Sequence, residues 1–89
     1  MIERVKLALR LSTDAYDVDV QGLIDAAYAD LGIAGVHNAT EGDPIIDRAV
    51  ITYCRLHFGS PDDYDRLKRS YDEQKAQLQM ATGYGLVGE

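Results

Sequence analysis

An all-α fold, a small bundle of about four helices, is what this chain predicts from its apolar periodicity. Three observations carry that expectation. Apolar residues recur at i, i+3, i+4 and i+7 through the long segments. No run alternates apolar and polar residues with the period of two that a half-buried strand needs. The periodic segments are punctuated by residues that start and stop helices: Asp43-Pro44 and Ser60-Pro61 at starts, Gly32, Gly35 and Gly59 at ends.

The first helix is expected from about Ile2 to Leu11, with Ile2, Val5 and Leu9 on one side and Ser12-Thr13-Asp14 supplying the turn. The second, about Asp17 to Leu31, has the cleanest stripe: Val20, Leu23, Ile24, Ala27, Tyr28 and Leu31. Gly32 and Gly35 end it, and a polar loop runs to Gly42.

The third helix has Asp43 at its N-cap, Pro44 at its first position and Gly59 just past its end. Its apolar residues do not keep to one stripe. Ile46, Ala49, Val50, Tyr53 and His57 line one face, while Ile45, Ile51, Cys54 and Phe58 cover much of the rest. A helix apolar nearly all round is normally buried on all sides. A domain this small hides only about 60% of its surface. The central third helix is therefore expected to keep an apolar face for a partner, such as another copy of the chain.

Ser60, Pro61 and Asp63 read as the cap, first and third positions of a fourth helix, with Tyr64, Leu67, Tyr71, Gln74 and Leu78 as its stripe to about Met80. The segment 81–89 is too glycine-rich to continue it. The expected division is a helical domain over 1–80 and a flexible C-terminal tail over 81–89.

Composition bounds the function. An apolar content of 46% is that of a folded protein. The single cysteine cannot form an internal disulfide. No apolar run approaches the roughly 18 residues of a membrane span. Met1-Ile2-Glu3-Arg4-Val5-Lys6 lacks a signal peptide's order, so a soluble product of the cytoplasm is expected. The net charge of −6 opposes docking on a nucleic-acid backbone. Between Leu11 and Asp47 the charged residues are all acidic, with Asp14, Asp17, Asp19, Asp25 and Asp30 leading the series. The basic residues sit at Arg4, Lys6 and Arg10 and then from Arg48 onward. That is either a solvated acidic face or one that meets a basic surface on a neighbour.

No constellation carries chemistry. Asp17 to Tyr28 mimics a calcium loop, but the position that needs a bidentate Glu holds Tyr28. Cys54 and His57 lie one turn apart without a second pair to complete a metal site, or a third group to complete a catalytic one. Gly83, Gly85 and Gly88 follow a helix rather than a strand and cradle no phosphate. No cofactor is expected. Tyr28, Tyr53, Tyr64 and Tyr71 fall on helix stripes and read as core, whereas Tyr84 in the tail suits an interface.

Three stretches together resemble a known family: Val5-Lys6-Leu7-Ala8-Leu9-Arg10; Tyr16-Asp17 with Leu23-Ile24-Asp25-Ala26-Ala27 and Asp30-Leu31; and Asp43-Pro44-Ile45-Ile46 with Ala49-Val50, Tyr53 and Phe58-Gly59. Tyr71, Gln74-Lys75, Gln77-Leu78 and Thr82-Gly83-Tyr84-Gly85 continue the pattern. The family is the small head–tail connector proteins of long-tailed bacteriophages, often labelled DNA-packaging proteins. The likeness covers nearly the whole chain, in order. It implies a virion protein at the head–tail junction, a homo-oligomeric ring of about a dozen copies under the portal. Such a ring extends the DNA channel, lets DNA pass without specific binding, and gives the head-closure and tail proteins a platform. It implies no catalysis.

On that reading Asp17, Asp19 and Asp25 on one face, Arg66, Lys68 and Arg69 on another, and Phe58 are candidate subunit contacts. Gly83, Tyr84, Gly85 and Leu86 are candidate portal contacts. The competing expectation is a small helical adaptor that binds a single protein partner and forms no higher assembly. An acidic mimic of DNA is a further rival.

Overall fold

In the computed structural model, which describes residues 1–36, 39–59 and 61–80, all regular structure is helical. The elements are α1 (Ile2–Ala8), α2 (Asp17–Ile33), α3 (Pro44–His57) and α4 (Tyr64–Met80). The chain reverses at each connection, so α1 and α3 run one way and α2 and α4 the other. The Met1 amine lies 2.6 Å from Glu41, just ahead of α3. The Gln79 amide donates to the Ala34 carbonyl at 2.7 Å, placing the last turns of α2 and α4 side by side.

α1 stops sooner than its apolar pattern predicts. Arg10 takes a φ of 60°, the Leu11 N–H bonds the Lys6 carbonyl at 2.9 Å and the Arg10 N–H bonds that of Leu7 at 3.1 Å. This is a Schellman closure with arginine where glycine is usual, which costs about 1–2 kcal/mol. The early turn returns Leu9 and Leu11 to the core, where both are partly buried.

α2 ends with the same closure on a glycine. Gly35 has a φ of 95°, and the Val36 N–H bonds the Leu31 carbonyl at 2.9 Å. Leu31 and Val36 are both buried, the apolar contact that accompanies this cap. Gly32, expected to stop the helix, instead lies inside it. Val20, Ile24, Ala27 and Leu31 form the inner stripe, with Leu23 and Tyr28 half-buried beside them.

α3 begins as its sequence predicts, with the Asp43 carboxylate accepting the Ile45 N–H at 3.0 Å. It ends before Gly59, which has a φ of 68°. Ile46, Ala49, Val50, Cys54 and Leu56 are buried between α1, α2 and α4. Full burial of each large aliphatic side chain in this set stabilises the fold by about 1.5–3 kcal/mol. Away from that core face Ile51 and Thr52 are half-buried, and the exposed Arg48 and Arg55 give this side of α3 basic edges. His57, at the C-terminal end of the face that Ile46 begins, is exposed, while Cys54 is buried.

Asp47 is the buried polar residue the periodicity did not reveal. One of its oxygens accepts from the Arg4 guanidinium at 2.6 Å and the other from the Gly42 N–H at 3.1 Å. It ties α1 and the preceding loop to α3, which satisfies a carboxylate that would otherwise be costly to bury.

α4 starts three residues later than the Pro61 reading, with the Leu67 N–H on the Asp63 carbonyl at 3.0 Å. Leu67, Tyr71 and Leu78 are buried, while Tyr64 is 45% exposed and is not core. The expected cap at Ser60, the loop residues His37 and Asn38, and the whole tail 81–89 lie outside the described residues.

Candidate functional site

Three surface features are built by these helices. The first is an open groove of about 800 Å³ where the start of α2 meets the end of α3. Leu11, Tyr16, Val18, Leu23 and Phe58 line it, with Asp19 and His57 alongside. Because α3 closes just before Gly59, Phe58 is extended and folds back onto Tyr16. The two rings meet edge to face at 5.8 Å. Two of the expected contact residues, Asp19 and Phe58, are brought together here. Asp17 is turned toward α1 instead, 2.8 Å from the Lys6 ammonium, which Asp14 also holds at 2.7 Å. Donating to both carboxylates holds that ammonium well above its ordinary pKa.

The second feature is a recess shared by α2, α3 and α4. The Tyr71 hydroxyl donates to Asp30 at 2.6 Å and the Lys75 ammonium at 3.2 Å. The Tyr71 ring packs on Tyr53 at 5.3 Å, and Lys75 sits 5.1 Å from the centre of the Tyr71 ring. Burial pushes the Asp30 carboxyl up, but the bonds from Tyr71 and Lys75 outweigh it and hold it below the ordinary value. Burial and the same hydrogen bond raise the Tyr71 hydroxyl. These groups neutralise one another, so the recess reads as a clamp between helices rather than a reactive centre.

The third feature is a groove of about 240 Å³ between α3 and α4, lined by Arg48, Ile51, Thr52, Arg55, Arg66 and Gln74, among others. The three cations expected to act together on α4 do not share one face. Arg66 borders this groove and pairs with Asp63. Lys68 borders the Asp30 recess, pairs with Asp72 at 3.1 Å and also lines, with Arg69, the outer surface of α4. Arg69 lies on the outer surface of α4 beside Asp65, Asp72 and Glu73. Arg48 and Arg55 were missed as partners for Arg66. Their signal was present: two arginines seven residues apart mark one edge of a helix.

Among the described residues, no three His, Cys, Asp or Glu side chains converge as metal ligands. Cys54 is buried, and burial pushes its thiol up to about 12, so it carries no reactive thiolate. No described helix is long and apolar enough to cross a membrane.

Nothing among the curated proteins or the solved structures matches the chain. The sequence pattern of one family, described as phage connector protein, matches residues 1–85. That span includes all four helices and each of the three surface features. An all-helical chain matched over this length belongs to the phage connector family, the structural proteins that join head to tail.

Proposed function

We propose that this connector works as a closed ring of about a dozen copies beneath the phage portal, by the logic of rotational closure. In that position it lengthens the DNA channel and offers a platform to the head-closure and tail proteins. The observation that carries the reading is the pairing of family membership with unlike outward faces on one small subunit. One side offers aspartates without lysine or arginine; the other has a groove edged by arginines. Unlike faces suit a head-to-tail contact, which closes into a ring when its rotation permits. The net charge of −6 suits a channel through which DNA slides, since phosphate binding requires clustered cations. The tail residues Gly83, Tyr84, Gly85 and Leu86 are proposed as portal contacts.

The test is mass by light scattering over a concentration series, with negative-stain images of the same fractions. Closed rings with a central channel are expected. A compact dimer at every concentration would exclude the ring and favour an adaptor with a single partner. Deleting 81–89 should leave ring assembly intact and remove retention on immobilised portal protein. Unchanged retention would exclude the tail as the portal contact.

A further inference from the structure

We propose that the outward face of α2 is one half of the contact between neighbouring copies, and that the arginine-edged face of α3 and α4 is the other half. This rests on the ring reading above and assigns it a surface. Val18, Gly22, Asp25, Ala29 and Ile33 recur along α2 at i, i+4, i+7, i+11 and i+15, opposite the buried stripe, with Asp19 and Gly32 flanking them. Val18 and Ile33 are each 86% exposed.

The glycines are the telling residues. Glycine is a poor helix former, yet Gly22 and Gly32 both lie within α2. A Cβ added at either would meet nothing within 4 Å. Nothing among the described residues therefore explains the absence of a side chain. Small residues on a helix let another backbone approach closely, and the two exposed aliphatic residues at the ends can anchor it.

Charge selects the partner. Asp19 and Asp25 have no cation beside them among the described residues; Asp25 accepts only the Gln21 amide, at 3.0 Å. Arg48 and Arg55 have no carboxylate beside them among the described residues, and Ile51 and Thr52 lie between them on α3. If α2 met its own copy about a two-fold axis, Asp25 would face carboxylates. Against the α3–α4 face of a second copy, the carboxylates meet guanidiniums, the stronger class of hydrogen bond. That contact is heterologous and repeats from copy to copy, as a ring requires.

The experiment uses the full chain and three sets of variants, each checked for folding by circular dichroism melting. Gly22→Ala/Gly32→Ala should melt roughly 5–10 °C higher, because alanine favours the helix. The same variant should need at least about tenfold more protein to assemble, because the added methyls overfill the contact. A purely structural role for the glycines would raise the melting point and leave assembly unchanged, which overturns the proposal. Next, Asp19→Lys/Asp25→Lys and Arg48→Glu/Arg55→Glu should each fail to assemble alone. Mixed in equal amounts they should assemble, since both alternating contacts are then complementary. Assembly of either variant alone, or failure of the folded mixture, overturns the surface assignment. In both cases wild-type rings formed in parallel leave the ring reading standing. A wild type that stays monomeric throughout overturns the self-assembling ring and this contact together.

Discussion

α2 and α4 are both seventeen-residue helices that flank α3 and run in the same direction, yet their outward faces differ in kind. On α4 two cations are paired locally, Arg66 with Asp63 just ahead of the helix and Lys68 with Asp72. Its buried stripe is Leu67, Tyr71 and Leu78, and its large exposed apolar side chains, Tyr64 and Met80, stand at its two ends. α2 has a comparable inner stripe, but its outer face combines exposed aliphatics, two glycines and aspartates that lack a cation of their own helix. The difference teaches that helix amphipathicity locates the core on both elements, while local charge pairing separates an outer face whose charges are met within the subunit from the one proposed above as a contact between copies.

The strongest test of that comparison is to break the inner faces, where the helices should behave alike. Leu31→Ala on α2 and Leu78→Ala on α4 each empty a fully buried position. Each should lose about 2–5 kcal/mol of stability in urea unfolding. A loss at one site only would mean that the two helices do not share one core.

Next in size is the clamp that joins the two helices. Tyr71→Phe removes the hydroxyl donor to Asp30 and should cost about 1.5–3 kcal/mol, the range for a hydrogen bond to a charged group. It should also change the pH profile. The Asp30 carboxyl is held below the ordinary 3.8, so its contribution is complete above that value and is lost as pH falls through the lower folded value. The Tyr71 hydroxyl is raised above 10.0, so its contribution is complete below that value and is lost as pH rises past it. Melting midpoints should be level between these limits, fall outside them, and fall less at the alkaline end in Tyr71→Phe. An identical alkaline fall in the variant would remove Tyr71 from that role.

Smaller still is the contrast between the two Schellman caps. Arg10→Gly relieves a left-handed arginine and should stabilise by about 1 kcal/mol. Gly35→Ala, at the matching position after α2, should destabilise by a similar amount. Equal signs in denaturant melts would contradict the backbone geometry. The smallest effect is expected on α4's surface, where Lys68→Ala removes a pair between half-exposed side chains and should leave the melting point nearly unchanged.

Much of this arrangement was legible in the sequence because it is local. Asp43-Pro44 and Gly59 delimit α3 through bonds that span only a few residues, and the α2 stripe follows from periodicity alone. Asp47 was not legible, because Arg4 and Gly42 reach it from a different helix and a loop. Nor was the early end of α1, since the core contacts of Leu9 and Leu11 outweigh the strain at Arg10. At the candidate site, Asp19 and Phe58 were anticipated as contact residues and do share a groove. The α4 cations were grouped by sequence nearness, which a helix divides among faces. Residues 66 and 68 are separated by about 200° around the axis.

The reversal of direction at each connection bears on how fast the subunit folds. Helices adjacent in sequence are mostly the helices that touch, so little chain must be brought together from afar. Helical domains with such local contacts fold in microseconds to milliseconds. Encounters between separate subunits take longer and depend on how many are present. For the proposed ring, the pace of construction would then be governed by supply: each subunit would arrive already shaped, and the abundance of its neighbours would decide when the next place is filled.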